Sequence, residues 1–142
     1  MNMFNFKALL SDVLVEKGKT FKDLENAGII CERSFYQYKD FKPYLPTVIE
    51  IANYLQVSLD YLSGRTAENR FVEYDLKRLS FYDNLIKIMK SADIDQSRLA
   101  KDLDIGRTNF VYWRKGRLPK LATLVRLADY LNCNIDDLLY RI

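Results

Sequence analysis

Histidine is absent from the 142 residues. Its absence removes the commonest general acid/base, the commonest metal ligand and every Ser-His or Cys-His catalytic pair. Cysteine is nearly absent too: Cys31 and Cys133 lie too far apart for a CxxC metal or redox motif. No catalytic residue, metal site or cofactor is expected. Two isolated thiols and no secretory leader fit the reducing cytoplasm, which is the expected location. No apolar run approaches the roughly 18 residues that a membrane-spanning helix needs. Asp136 and Asp137 are adjacent carboxylates at the start of an expected helix, where they complement its dipole and do not converge on a substrate. What remains is a chain that is 49% hydrophobic and 29% charged, rich enough in apolar side chains to fold and better suited to binding than to catalysis.

Charge is small in sum and uneven in distribution. The net is +3. Residues 1–65 hold eight basic and eight acidic side chains, and residues 66–78 hold three of each. Residues 79–142 hold eleven basic against eight acidic, so the whole excess lies there. Local clustering of this kind says more about nucleic acid than the sum does.

The chain repeats itself, which changes the domain count. Pro43-Tyr44-Leu45-Pro46-Thr47-Val48-Ile49-Glu50-Ile51-Ala52-Asn53-Tyr54-Leu55 returns 76 residues later as Pro119-Lys120-Leu121-Ala122-Thr123-Leu124-Val125-Arg126-Leu127-Ala128-Asp129-Tyr130-Leu131. Over the 23 positions 43–65, nine residues are identical to their partners. Upstream the offset is 75, pairing Phe6 with Phe81, Leu24 with Leu99, Ile30 with Ile105 and Phe35 with Phe110. One residue is therefore gained or lost between the third and fourth segments. Two copies of a unit of about 60 residues are expected, at 1–65 and 79–142, with 66–78 as a linker that can be helical.

Each copy reads as short helices, so the fold class is all-α. Phe6, Leu9, Leu10, Val13 and Leu14 recur at helical spacing, as do Leu85, Ile88 and Met89. Thr20, Asp95, Ser58 and Asn134 are expected N-caps. The third helices are expected over about 32–39 and 107–115, and Pro119 suits the first turn of a fourth.

The run Gln96-Ser97-Arg98-Leu99-Ala100-Lys101-Asp102-Leu103-Asp104-Ile105-Gly106-Arg107-Thr108-Asn109-Phe110-Val111-Tyr112-Trp113-Arg114-Lys115-Gly116 resembles the phage-repressor-like (XRE/Cro/CI) helix-turn-helix family. The resemblance covers nearly all of 80–141 and implies a lambda-repressor-like domain of about five helices. Ala100 is small where the two motif helices cross, Ile105 plugs the turn, and Phe110 and Trp113 face inward at i and i+3. Gly116 ends the second motif helix where left-handed backbone is needed. Asp104 departs from the family, which usually has glycine at the turn, but aspartate tolerates that conformation better than most residues. The first copy fits less well. Glu25 stands where the alanine belongs, Phe41 where the terminal glycine belongs, and Gly28 falls one residue early.

The resemblance implies a double-stranded DNA partner, with the start of the recognition helix in the major groove. Arg107, Thr108, Asn109, Val111 and Tyr112 are the expected readers: arginine pairs with guanine, asparagine with adenine, and threonine or valine meets a thymine methyl. Gln96 is the phosphate contact the resemblance implies, and Arg114, Lys115, Arg117 and Lys120 surround the end of the helix. From Ile105 to Lys120 there are five basic residues and no acidic one. In the first copy, Arg33, Ser34, Gln37, Lys39 and Lys42 are weaker candidates, offset by Glu32 and Asp40. Tyr36, Phe41 and Tyr44 suggest a protein interface instead, since aromatics concentrate at interface hot spots. The expected function is a sequence-specific transcriptional regulator of repressor type. The alternative is a protein-interaction module, of the phage inhibitor or antirepressor kind, that uses the first copy. A homodimer or a protein partner through residues 1–65 stays open, and no small-molecule substrate is evident.

Overall fold

The computed structural model describes residues 5–31, 33 and 44–140, and the chain divides into two compact units, 1–74 and 75–142. Among the described residues every regular element is a helix, as the spacing of apolar residues predicts. None of these helices is long and apolar enough to cross a membrane.

In the first unit, α1 (Phe6–Glu16) buries Phe6, Leu10, Val13 and Leu14. Gly18, at φ +66°, turns the chain back so that the Lys19 N–H reaches the Leu14 carbonyl at 2.9 Å. Helix α2 (Phe21–Asn26) opens with a reciprocal capping box. The Asp23 N–H donates to the Thr20 hydroxyl at 3.2 Å, and the Thr20 N–H donates to the Asp23 carboxylate at 2.8 Å. Helix α3 (Leu45–Leu55) carries Pro46 in its first turn, where a missing N–H costs nothing. Its buried face comprises Leu45, Val48, Ile49, Ile51, Ala52 and Leu55. Ser58 caps α4 (Leu59–Leu62), and the Tyr61 phenol donates to Glu16 at 2.6 Å, tying α4 to the end of α1.

The segment expected to be a linker is mostly part of this first unit. Residues 66–75 form no helix, and only Leu76–Arg78 make a single 3-10 turn. The reason lies in side chains that hold the extended backbone. Asn69 accepts from the Ser58 N–H at 3.0 Å and donates to the Gln56 carbonyl at 2.9 Å. Asn53 grips the backbone of Tyr74 from both sides, at 3.0 and 2.9 Å. The buried Tyr74 hydroxyl accepts the Leu59 N–H at 2.8 Å, supplying a partner for the start of α4.

In the second unit, α5 (Phe81–Ser91) buries Phe81, Asn84, Leu85 and Met89. It is followed by α6 (Gln96–Leu103), α7 (Arg107–Arg114), α8 (Leu121–Leu131) and α9 (Ile135–Leu139). Asp95 caps α6 by accepting the Arg98 N–H at 2.8 Å. Helix α9 closes against α5: the Ser80 N–H donates to the Leu139 carbonyl at 2.8 Å, and the Asn84 amide donates to the Leu138 and Tyr140 carbonyls. Leu99, Leu124, Leu127, Ala128, Ile135 and Leu138 are fully buried between these helices. Each such leucine contributes about 1.5–3 kcal/mol relative to exposure.

Two sequence expectations need correction. Pro119 is buried two residues before α8 and not inside its first turn; Lys120 is the N-cap. Proline's fixed φ and missing N–H suit that extended approach equally well. The one-residue difference between the copies is also already present at the turn after the second helix. The N-caps Thr20 and Asp95 are 75 apart, whereas the left-handed turn residues Gly28 (φ +76°) and Asp104 (φ +53°) are 76 apart. Helix α2 is simply shorter than α6.

Candidate nucleic-acid interface

The turn between α6 and α7 is fixed by backbone geometry and then anchored from below. Asp104 takes up the left-handed conformation, and the Ile105 N–H closes back on the Ala100 carbonyl at 2.9 Å. Ile105 is buried and Ala100 half-buried, as expected for a plug and a crossing point. Gly106 then starts α7 without a side-chain cap. Phe110 and Trp113 are both buried, with ring centroids 5.0 Å apart in edge-to-face contact. Trp113 meets Phe81 of α5 in the same way at 5.3 Å, which locks the inner face of α7 onto the unit. Gly116, at φ +103°, ends the helix, and the Arg117 N–H returns to the Tyr112 carbonyl at 3.0 Å.

With the inner face fixed, the outer face is presented as a set. Arg107, Thr108, Asn109, Val111 and Tyr112 are all exposed, and so are Arg114, Lys115, Arg117 and Lys120. Gln96 is exposed at the first position of α6. The Arg117 guanidinium lies over the Tyr112 ring, 5.3 Å from its centroid, so the loop and the helix are coupled by a cation–π contact. Asn109, Tyr112, Arg117, Lys120 and Arg126 line one cleft of about 420 Å³ between α7, the loop after it and α8.

Two residues outside the sequence-based candidates position the motif. Arg126 on α8 donates to the Leu103 carbonyl at the end of α6. One turn further along α8, the Tyr130 hydroxyl donates to the Asp102 carboxylate at 2.5 Å. The hydrogen bond to Asp102, with some desolvation, raises the Tyr130 phenol above its ordinary pKa. Tyr130 carried a signal, because it matches Tyr54 in the repeat, but its partner Asp102 has no carboxylate at the corresponding place in the first copy.

The candidates in the first copy are less informative. Arg33 is helical and exposed, and Tyr44 is 69% exposed at the N-cap of α3. Ser34, Tyr36, Gln37, Lys39, Phe41 and Lys42 lie outside the described residues. Cys31 is exposed and Cys133 half-buried. Among the described residues no group of His, Cys, Asp or Glu is arranged to hold a metal.

Residues 84–142 match the model of a family described as the Cro/C1-type HTH DNA-binding domain. The C-terminal unit is a Cro/C1-type helix-turn-helix domain. No curated protein and no solved structure matches the chain at a significant level. Helices α6 and α7, joined by the turn at Asp104, both lie within the matched stretch. DNA binding by the second unit thus rests on a matched family and on a motif whose turn, plug and inner face are all in place.

Proposed function

We propose that the protein is a sequence-specific transcriptional regulator, of repressor type, that reads the DNA major groove with α7. The observation that carries this reading is the acid-free stretch from residue 105 to 120, whose cations all reach the surface. All five of its cations, Arg107, Arg114, Lys115, Arg117 and Lys120, are exposed, with Thr108, Asn109, Val111 and Tyr112 exposed beside them. Phosphate neutralisation supplies most of the non-specific affinity of such proteins, and base-edge contacts supply the discrimination. Arg107, Thr108, Asn109, Val111 and Tyr112 are assigned to base edges. Gln96, Arg114, Lys115, Arg117 and Lys120 are assigned to phosphates.

The first unit is a divergent copy of the same domain in this reading. Its matching caps and turns support that: Gly18, Gly28 and Gln56 are left-handed where Asp93, Asp104 and Asn132 are in the second unit. The neutral charge of residues 1–65 and the exposed Tyr44 favour protein contact over DNA. The regulator acts in the cytoplasm, without catalysis, and blocks transcription by occupying its site.

Fluorescence anisotropy on a random duplex at low salt, followed by footprinting on the region upstream of its own gene, tests this. Salt-sensitive binding and a discrete footprint are expected. No affinity for duplex DNA even at low salt would end the proposal.

A further inference from the structure

The exposed cations of the second unit do not stop at α7. Lys77 and Arg78 stand on the 3-10 turn that precedes α5, outside the stretch 84–142 that matches the family. The turn is held at both ends. The Asp75 N–H donates to the Tyr140 hydroxyl at 2.9 Å, and the Ser80 N–H donates to the Leu139 carbonyl at 2.8 Å. Within it, the Lys77 N–H donates to the Asp75 carboxylate and the Arg78 N–H to the Asp75 carbonyl, both at 3.0 Å. Two neighbouring positive side chains are therefore carried by an ordered backbone, which lowers the conformational entropy lost when they bind something.

Neither side chain has a strong partner within the fold. Arg78 meets only Asp75, at 3.9 Å with both side chains more than half exposed, and such a pair contributes little. Lys77 makes no ion pair among the described residues, and neither do Arg114, Arg117 and Lys120. Elsewhere Lys22, Arg65, Arg70 and Arg98 each face a carboxylate.

The turn also connects with the surface assigned to phosphates. Lys77 and Arg78 line a hollow with Leu79, Ser80 and Tyr140. Leu79 and Ser80 continue into a second hollow, which Arg114 and Arg117 also line. Arg117 then borders the α7–α8 cleft together with Lys120 and Arg126. Among the described residues, Asp83 and Asp104 are the only carboxylates on these three walls. Unpaired cations along connected hollows suit a polyanion that runs past α7, and a duplex carries one negative charge per about 1.7 Å of its axis.

We propose that Lys77 and Arg78 grip the phosphate backbone of DNA beside the stretch that α7 reads, extending the footprint to a turn ahead of the matched domain. The proposal rests on the DNA-binding reading above.

Lys77→Ala with Arg78→Ala tests it on the full chain. Both side chains are exposed, so the fold should be undisturbed. Affinity for a random duplex should fall roughly tenfold, and the slope of log K against log salt should shrink by about two. Lys87→Ala with Lys90→Ala removes the same charge from exposed positions on α5 that line none of the three hollows, and it should leave the slope within about half a unit. A second measurement needs no variant. In the wild type, acetylation of Lys77 read by mass spectrometry should slow several-fold in saturating duplex, together with Lys115 and Lys120, while Lys87 and Lys90 react as before.

An unchanged salt slope in the Lys77/Arg78 variant would overturn the proposal and leave the DNA reading standing. So would a Lys77 that stays reactive while Lys115 and Lys120 are protected. Failure of the wild type to bind duplex at all would remove both readings, and it would be seen before any variant is measured.

Discussion

The two units solve the same local problems with different residues, and among the described residues the second carries an exposed cluster of cations on and after α7. Thr20 and Asp95 cap equivalent helices, and Gln56 and Asn132 end the long helices α3 and α8 in the same left-handed conformation. The cores are of one kind, with Leu24 and Leu99 both fully buried on the second helix of their units. The divergence lies in what is held outward and how firmly. In the second unit, Arg126 and Tyr130 fasten the end of α6 from α8, next to the basic outer face of α7. In the first, Tyr54 occupies the place of Tyr130 and receives Lys19 over its ring at 5.8 Å. The shared features are those that any chain of this fold needs. Among the described residues, the unshared ones include the two tethers that hold the end of α6.

The strongest way to break this comparison is to damage each core equally. Leu24→Ala and Leu99→Ala each remove a side chain with no exposed surface and should each cost about 2–5 kcal/mol, measured by chemical denaturation. Duplex binding should collapse only for Leu99→Ala. If Leu24→Ala abolished it as completely, the first unit would be part of the reading surface.

Next in size is the charge contrast. Arg107→Ala with Arg114→Ala should weaken duplex binding by about two orders of magnitude, since a base-edge contact and a phosphate contact are lost together at roughly 1–3 kcal/mol each. Arg33→Ala with Gln37→Ala should change it less than about threefold. Equal losses in an anisotropy titration at fixed salt would erase the asymmetry.

Much of this was legible in the sequence because caps, plugs and apolar periodicity are local. Thr20, Asp95 and Ser58 cap as their residue types predict, and Phe110 and Trp113 pack inward as i, i+3 spacing requires. What escaped depends on contacts between distant residues. Residues 66–74 look like a linker because they fall between the two repeats, and their order comes from Asn53, Asn69 and Tyr74 meeting across the fold. The Arg126 and Tyr130 tethers were hidden for the same reason, joining positions 23 and 28 residues apart.

Those tethers set up a smaller contrast that pH can sharpen. The Tyr130 and Tyr61 phenols donate to Asp102 and Glu16, and each is raised above its ordinary value of 10.0, chiefly by that hydrogen bond. A phenol raised on folding favours the folded state while protonated. The contribution is present in full below the unfolded value near 10 and is lost as pH climbs through the higher folded value. Tyr130→Phe and Tyr61→Phe should therefore flatten the alkaline limb of the stability curve. Only Tyr130→Phe should also loosen duplex binding near neutral pH, because only its tether holds a motif helix. A binding change of the same size in Tyr61→Phe would show that the two tethers are equivalent.

The smallest expected effects, of opposite sign, lie at the two turns. Gly28 adopts φ +76°, and a Cβ built there meets nothing within 4 Å, so Gly28→Ala should cost only the left-handed backbone penalty, about 1 kcal/mol. Asp104 already bears that penalty at φ +53°, softened because aspartate tolerates the conformation. Asp104→Gly relieves it, but it also gives the unfolded chain more freedom to lose, so the gain should be no more than about 0.5 kcal/mol. The same substitution removes a carboxylate three residues before α7, beside the surface assigned to phosphates. Duplex affinity should rise with it, and the rise should shrink as salt is added, because Coulombic repulsion is screened while backbone strain is not. A gain in stability with no salt-dependent gain in affinity would place Asp104 outside the reach of DNA, and the reading surface would then begin at Gly106.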